Sequence, residues 1–423
     1  MSVALSSILP AAAVLVGAAF AAAVLSSLLP VRAIALLWGI LLPINSTVFA
    51  GASALAVAKV LGAMVITYRC RREDSARAIY RWAMPLWILG GVLLVDGLTT
   101  PTGSRALGSY IIVSAAIGLA LCKRPSVAGP ILVGFASGCI LSAAVLIMQV
   151  LEMPTIGRPG PADDSGRYAG LSMSAIMAST EFAIACMVLF VRARAQIGRP
   201  LWTRVASTAG ALVCLSGLLA SGGRGGLAAL TLGAAVAAYQ RIVKVKHLIF
   251  AGAGVWLTFY VANAYKISFS TLDRVEDLNF ATANASSLTS NRDVIFHESL
   301  VEFMKHPILG PGYGYFIDTY GIMPHFAPLT FAVGSGLTGA AIGLYLMMRL
   351  ARLALSRDRR RDAWSDLAPP VAVVLLVMSS LEAEGPFMSI GLTSILLICA
   401  SAASVRPRDF EARLVAPQTA AAS

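Results

Sequence analysis

Apolar runs of bilayer-spanning length recur along almost the whole chain, and this recurrence constrains the fold more than any other feature of the sequence. A transmembrane helix needs about 17 to 25 predominantly apolar residues to cross the hydrocarbon core. Inside that core every backbone amide and carbonyl must be satisfied within the segment, so such runs fold as helices. The sequence therefore predicts an all-α, polytopic transmembrane bundle with about a dozen spans. The predicted spans are residues 8–29, 32–50, 52–68, 82–98, 106–122, 127–150, 171–191, 205–220, 227–239, 248–264, 329–348, 367–380 and 386–403.

The charge composition favours a membrane protein over a nucleic-acid-binding one. Of the 423 residues, 57% are hydrophobic and 13% are charged, whereas a soluble domain carries about 25% charged residues. The net charge of +12 comes from short basic clusters between the apolar runs. No basic and aromatic module of the kind that binds nucleic acid accompanies them. We therefore expect membrane lipid, and no nucleic acid, among the partners.

The basic clusters also predict the orientation of the chain, because Lys and Arg are retained on the cytoplasmic side of short membrane loops. Placing every cluster on that side gives a consistent alternation of spans from residue 69 onward. The clusters are residues 69–72, 123–124, 192–204, 241–246 and 349–361. The outer segments are then residues 99–105, 151–170, 221–226, 265–328 and 381–385.

This topology divides the chain into four parts. Residues 1–264 form transmembrane helices with short loops, and residues 265–328 form one large extracytoplasmic loop. Residues 329–403 form the C-terminal transmembrane helices, and residues 404–423 form a cytoplasmic polar tail. The large loop is a polar island in an apolar chain, and it contains three of the four histidines. We expect the chemistry of the protein to gather there.

Residues 291–305 of the loop predict one amphipathic helix. Ser290 is the expected N-cap, and Asp293 lies in the first turn. The expected apolar face is Ile295, Phe296, Ser299, Leu300 and Phe303, and the expected polar face is Glu298, Glu302 and Lys305. Arg292 would lie at the helix N-terminus, where the helix dipole adds to its positive charge and favours an anionic ligand.

A second candidate anion site is the glycine-dense break Ser221–Gly226, which contains Arg224. Glycines allow close backbone approach, so exposed amides beside a fixed guanidinium suit a phosphate or pyrophosphate. The alternative is an ordinary tight turn between two helices. Because an arginine at membrane depth is unusual, we favour the site.

The histidines do not predict a metal site. His297, Glu298, Glu302 and His306 lack the spacing of a zinc-protease helix and do not share one face. The six cysteines likewise show no disulfide or metal-site spacing. His325 differs from the other histidines, because it lies just before an apolar run, where a lipid-borne substrate would meet an outer-face site. A neutral imidazole there could accept a proton.

These segments together resemble the O-antigen ligase and polymerase family, which are multi-span bacterial enzymes that act on undecaprenyl-pyrophosphate-linked glycans. The resemblance covers roughly residues 205–345. It consists of Ser221–Gly226, Arg292 followed by His306–Gly312, and His325 followed after ten residues by Gly336–Gly339. Two positions depart from the family pattern: Phe326 replaces a polar residue, and residues 170–174 match the stretch after Arg167 only loosely.

The resemblance implies a GT-C-like membrane glycosyltransferase of the bacterial inner membrane, with its site on the extracytoplasmic side. Arg224, Arg292 and Arg167 would bind the pyrophosphate of the donor, and His325 would activate the acceptor hydroxyl. His306, Gly310 and Gly312 would support the site. The implied reaction inverts the anomeric centre and uses no metal or other cofactor. The implied donor is an undecaprenyl-pyrophosphate-linked glycan, and the acceptor is a glycan, a lipid or a protein.

Two questions stay open at the level of sequence. A polymerase that extends a lipid-linked glycan and a ligase that transfers it to another acceptor fit equally well. The alternative from another class is a transporter or flippase for a lipid-linked saccharide. A transporter should show polar residues within several spans and often an internal repeat, and neither is apparent in the sequence.

Overall fold

The computed structural model describes residues 29–44, 52–70, 80–99, 104–122, 125–154, 167–172, 174–195, 200–244, 252, 260, 292–321, 323–356, 366–381 and 389–402. Within these ranges the ordered segments are helical, and no strand occurs. The helices with defined bounds are α1 (Val31–Leu41), α2 (Ala52–Arg69), α3 (Tyr80–Thr99), α4 (Ser104–Cys122), α5 (Pro125–Val150), α6 (Ala175–Ala195), α7 (Leu201–Ala220), α8 (Arg224–Tyr239), α9 (Arg292–Lys305), α10 (Tyr313–Tyr320), α11 (Ala327–Leu355), α12 (Ala368–Leu381) and α13 (Ile390–Ala402).

The helices pack around one continuous apolar core. Helix α5 contacts α1, α6 and α7, and α8 lies between α6 and α12. Helix α11 joins α12 to α3, and α3 packs along α4. Phe135 of α5 and Phe182 of α6 are fully buried in this core. Small residues permit the close packing: a side chain at Gly134 would collide with the backbone carbonyl of Leu36 in α1.

The all-helical prediction is confirmed for the described residues, whereas the count of about a dozen spans is not. Four helices are long and apolar enough to cross a membrane, namely Val127–Val150, Ala175–Arg194, Leu201–Ala220 and Ala327–Leu355. Five further apolar helices are shorter. The spans predicted at 8–29 and 248–264 lie almost wholly outside the described residues, as do residues 265–291 of the large loop and the tail 404–423. The span predicted to begin at residue 171 begins instead at Ala175, because residues 167–172 form a separate hydrogen-bonded turn.

Four predicted outer segments adjoin the same end of the bundle. The end of α7 and the start of α8 are joined by residues 221–223, and Gly223 packs against Ser179 near the start of α6. Gly225 packs against Leu381 at the end of α12. The turn 167–172 enters α6 at this end as well. The large loop contributes Arg292 at the start of α9, which donates a hydrogen bond to the Leu381 carbonyl. We call this region the arginine end, since Arg167, Arg224 and Arg292 all lie there.

The orientation of the arginine end can be tested by labelling. Thr319 and Lys244 are both exposed, in α10 and just beyond the opposite end of α8. In a cysteine-free background, we expect Thr319→Cys to react with a membrane-impermeant thiol reagent in intact cells. Lys244→Cys should react only after permeabilisation, because the positive-inside rule places it in the cytoplasm. The reverse pattern would invert the topology.

Helix α11 is broken at Ser335 and Gly336. Gly336 has φ 62° and ψ −146°, a conformation that only glycine adopts readily. The loop 306–312 packs into this break, where the Leu337 amide donates to the Pro307 carbonyl at 2.7 Å. Gly312 donates its amide to the Val333 carbonyl at 3.3 Å. The first part of α11 is wholly buried, and the second part is exposed at Leu337.

We expect Gly336→Ala to destabilise the protein. A Cβ at this position would collide with the Ile308 backbone, and the unusual backbone angles alone cost of order 1–3 kcal/mol for a residue with a side chain. The control is Gly91→Ala in α3, where a Cβ meets nothing within 4 Å. The measurement is the thermal unfolding midpoint in detergent. Equal midpoints for the two variants would mean that the break at Gly336 is not required.

The predicted faces of α9 are only partly correct: Ile295 and Ser299 lie inward, as predicted, but so does Glu302, which was predicted on the polar face. The buried side chains of α9 are Ser299 and Glu302, with Ile295 partly buried against the core. Phe296 and Leu300, predicted on the buried face, are 42% and 37% exposed. Glu302 lies inward because Lys305 and Tyr320 donate hydrogen bonds to its carboxylate.

Candidate functional site

The glycine-dense break is a tight helix junction whose shape depends on the glycines. Gly222 has φ 74°, in the left-handed region that favours glycine. A Cβ at Gly223 would collide with the Ser179 side chain, and a Cβ at Gly226 would lie 2.7 Å from the Ser179 Cβ. These close approaches fix the start of α8 against α6. They place Arg224 as the first residue of α8, half-buried at the arginine end.

Arg292 is the first residue of α9, as predicted, with Asp293 in the first turn. The expected N-cap, Ser290, lies outside the described residues. Nη1 of Arg292 donates a hydrogen bond to the carbonyl oxygen of Leu381 at 2.6 Å. Leu381 is the last residue of α12, where backbone carbonyls have no helical partner and the helix dipole is negative. The guanidinium is therefore held half-buried by the end of another helix.

Leu381 is a common neighbour of the helix starts that carry Arg224 and Arg292. A Cβ at Gly225, next to Arg224, would lie 3.4 Å from Leu381 Cδ1. The carbonyl of the same leucine accepts the hydrogen bond from Arg292. Two helix N-termini, each beginning with an arginine, thus adjoin the C-terminus of α12. Both N-termini carry backbone amides that lack an intrahelical partner, so the positive potential there comes from amides as well as from side chains.

His325 lies in a fixed segment immediately before α11. The Thr330 hydroxyl donates to the Pro324 carbonyl at 2.8 Å, and the Thr330 amide donates to the Phe326 carbonyl at 3.0 Å. The Nδ1 atom of His325 is buried. The ring of Phe326 packs on Phe296 of α9, with ring centroids 6.1 Å apart. Phe326, which departs from the polar residue of the family pattern, therefore docks this segment onto α9.

The same contact connects His325 with Arg292. Phe296 follows Arg292 by four residues on α9, so the two side chains lie on the same side of the helix, one turn apart. Arg292 and the His325 segment therefore adjoin neighbouring turns of α9. Together with the Leu381 contacts, this places three of the predicted site residues at one end of the bundle.

The predicted supporting residues do not join them. His306 is exposed and follows α9 at its far end, roughly 20 Å from Arg292 at 1.5 Å per residue. Gly310 and Gly312 have φ of 74° and 98°, and they pack on the break in α11. A Cβ at Gly310 would collide with the Val333 carbonyl. These glycines shape the scaffold at the break in α11.

Arg167 is half-buried and belongs to a different part of the arginine end. Its turn, residues 167–172, packs against α5 and α6. The Gly170 amide donates to Gln149 Oε1 at 3.2 Å, and the Leu171 amide donates to Ser142 Oγ at 3.0 Å. Gly170 has φ 60°, and a Cβ there would collide with the Ser142 carbonyl.

Sequence reasoning missed a polar cluster on the loop helices. Glu302 accepts hydrogen bonds from Lys305 Nζ at 2.8 Å and from the Tyr320 hydroxyl at 3.1 Å. The bond from Lys305 is the main cause that lowers the pKa of Glu302 below its ordinary value. Burial and the nearby Glu302 raise the pKa of Tyr320. The cluster connects α10 to α9. It was not predicted because the helix periodicity placed Glu302 on the polar face, pointing away from the rest of the protein.

Sequence reasoning also missed two charged residues within the apolar helices. Glu181 of α6 is 2% exposed, and Lys59 of α2 donates to the carbonyls of Leu42 and Ile44 at 2.9 Å each. The signal was present, because Glu181 is the one acidic residue in α6 and Lys59 is the one charge within α2 before Arg69. Ionisable residues at such positions are rare and are usually functional.

Among the described residues, no group of three His, Cys, Asp or Glu side chains is placed to hold a metal ion. Compared with protein-family models and with curated proteins, the chain matches none. The resemblance to O-antigen ligases and polymerases therefore stays a prediction from the motifs.

Proposed function

We propose that the protein is a membrane glycosyltransferase that moves glycan from an undecaprenyl-pyrophosphate donor to an acceptor hydroxyl at the extracytoplasmic face of the bacterial inner membrane. One observation carries this proposal: helices α8 and α9 begin with Arg224 and Arg292, both adjoin Leu381, and α9 also packs on the segment that holds His325. A positively charged site that can bind an anion thus adjoins a histidine that can act as a base.

The arginine end suits a pyrophosphate. Helix N-termini bind phosphates through free amides and the positive end of the dipole. A guanidinium adds a planar pair of donors that matches phosphate oxygens. Two such termini supply positive charge to both phosphates of the donor. This charge stabilises the pyrophosphate as it departs, which is the largest demand of the reaction.

His325 supplies the proton transfer. The acceptor oxygen attacks the anomeric carbon, the bond from that carbon to the pyrophosphate oxygen breaks, and the hydroxyl proton passes to the imidazole. Because Nδ1 is buried, we assign the proton to Nε2. Undecaprenyl pyrophosphate leaves with the bonding electrons and remains paired with the arginines. Attack opposite the leaving group inverts the anomeric centre.

A transporter of a lipid-linked saccharide is the second candidate, and two observations favour it. Transporters bind substrate at discontinuous membrane helices, and α11 is broken at Ser335 and Gly336. They also carry ionisable residues within the membrane, as Glu181 and Lys59 are here. We favour the transferase because loop 306–312 packs against the break in α11 and occupies the place that a substrate would take there.

The proposal is tested with purified protein in detergent, a labelled undecaprenyl-pyrophosphate glycan and a panel of acceptors that contains a second lipid-linked glycan, a lipid A core and a protein. We expect label to move from the donor to one acceptor, and the acceptor used decides between polymerase and ligase. Transfer should persist with excess chelator, because guanidinium groups supply the positive charge. Loss of transfer with chelator would assign a metal role to His297, Glu298 or His306.

A further inference from the structure

The turn 167–172, which carries Arg167, is held from below by three buried side chains. Gln149 and Ser142 of α5 accept hydrogen bonds from the Gly170 and Leu171 amides. The third contact comes from α6, where Glu181 Oε2 accepts a hydrogen bond from the Ser172 hydroxyl at 2.9 Å. Consecutive residues of the turn are therefore each anchored to a different polar side chain.

Burying Glu181 at this position costs free energy of folding. It is 2% exposed, and it lies in an apolar helix beside the fully buried Phe182. A carboxyl group buried among apolar side chains costs several kcal/mol unless hydrogen bonds and an opposite charge compensate it. In the described part of the chain its only side-chain hydrogen bond is the one from Ser172. The hydrogen bond to Ser172 of the turn is therefore the main polar interaction of this carboxyl group.

The amino group of Lys59 lies near the same place. Lys59 of α2 donates hydrogen bonds to the carbonyls of Leu42 and Ile44 at 2.9 Å each. Ile44 in turn packs with Leu171 of the turn in a small apolar cluster. The end of α1, helix α2 and helix α6 thus meet directly beneath the turn.

We propose that Glu181 is a positioning residue, which holds the turn 167–172 through Ser172 so that Arg167 is fixed at the arginine end. This inference rests on the proposed function and extends it, because it adds Arg167 to Arg224 and Arg292 as a ligand of the donor pyrophosphate. Glu181 does not touch the donor. Its effect on the reaction passes through the turn, and a displacement of a binding group by about 1 Å can cost up to about 100-fold in rate.

The test compares Glu181→Leu, Arg167→Ala and the double variant in the transfer assay. We expect each single variant to raise the KM for the donor by about 10- to 100-fold, with a much smaller change in kcat. The reason is that the loss or displacement of Arg167 mainly weakens donor binding. The double variant should lose no more than Arg167→Ala alone, because both changes remove the same interaction. Glu181→Gln keeps an acceptor for Ser172 and should remain close to wild type. Ser172→Ala removes the same hydrogen bond without altering the buried carboxyl group. It should therefore raise the KM in the same way even if Glu181→Leu fails to fold.

A second readout does not depend on activity. Hydrogen exchange of the Gly170 and Leu171 amides should speed up in Glu181→Leu and in Ser172→Ala, and should stay slow in Arg167→Ala. Additive losses in the double variant, or unchanged exchange in both Glu181→Leu and Ser172→Ala, would overturn the inference while leaving the proposed function standing. Absence of transfer by the wild-type protein would instead reject the proposed function, and the exchange data would still decide whether Glu181 holds the turn.

Discussion

Arg224→Ala and Arg292→Ala are each expected to reduce glycan transfer severely while the protein stays folded in the membrane. Removing one member of a desolvated, hydrogen-bonded charge pair costs about 2–5 kcal/mol, which corresponds to about 30- to several-thousand-fold in rate. Both side chains are half-buried, so we expect the lower half of that range. The measurement is kcat/KM for the labelled donor.

The controls for this prediction follow from the geometry. Lysine at either position should restore activity only in part, because an ammonium group lacks the planar pair of donors. Arg81→Ala removes an exposed arginine at the start of α3, away from the arginine end, and should leave transfer unchanged. Because Arg292 also binds the Leu381 carbonyl, the amount of folded protein is measured for each variant. Full activity in a folded alanine variant would remove that arginine from the site.

His325→Ala is expected to lower turnover by about 10²–10⁴-fold, which is the usual contribution of a general base. Donor binding should change little, because the arginines and helix N-termini that hold the pyrophosphate remain. The measurement separates the two effects: the single-turnover rate with enzyme in excess over donor, and the donor affinity from equilibrium binding. A fall in rate at constant affinity marks a group that acts in the transition state.

His306→Ala is the matched control, since it changes the same residue type at an exposed position roughly one helix length from Arg292. We expect it to retain nearly all activity. Equal losses in the two variants would point to a structural effect of the loop. Wild-type turnover in His325→Ala would leave that histidine a structural residue and turn the search for a base to Asp293, Glu298 or Asp318.

The positions of the helices could be predicted from the sequence because apolar runs and basic gaps mark their ends directly. The prediction for 82–98, for example, differs from α3 by two residues at the start and one at the end. The exact bounds of the helices were harder to predict, because hydrogen bonds from short polar stretches decide where a helix begins or ends. The turn 167–172 removed four residues from the predicted start of α6 in this way.

The candidate site was likewise predictable only in part. Arg224 and Arg292 stand out in the sequence as charges beside a glycine break and a helix start, and the structure places both at helix N-termini. Their common neighbour Leu381 could not be predicted, since it is an ordinary apolar residue 89 positions from Arg292. The inward face of α9 was predicted only in part: Ile295 and Ser299 lie inward, whereas Glu302 was predicted on the opposite face, because its hydrogen bond with Tyr320 of α10 cannot be predicted from helix periodicity.

The most direct test of the central claim uses purified protein in sealed vesicles with a fluorescent undecaprenyl-pyrophosphate glycan confined to one leaflet. Transfer to an acceptor and movement of the donor to the other leaflet are followed in the same sample. We expect the glycan to appear on the acceptor, to depend on Arg224, Arg292 and His325, and to do so without movement of the intact donor between leaflets. Movement of the intact donor without any transferred glycan would contradict the account and identify a transporter.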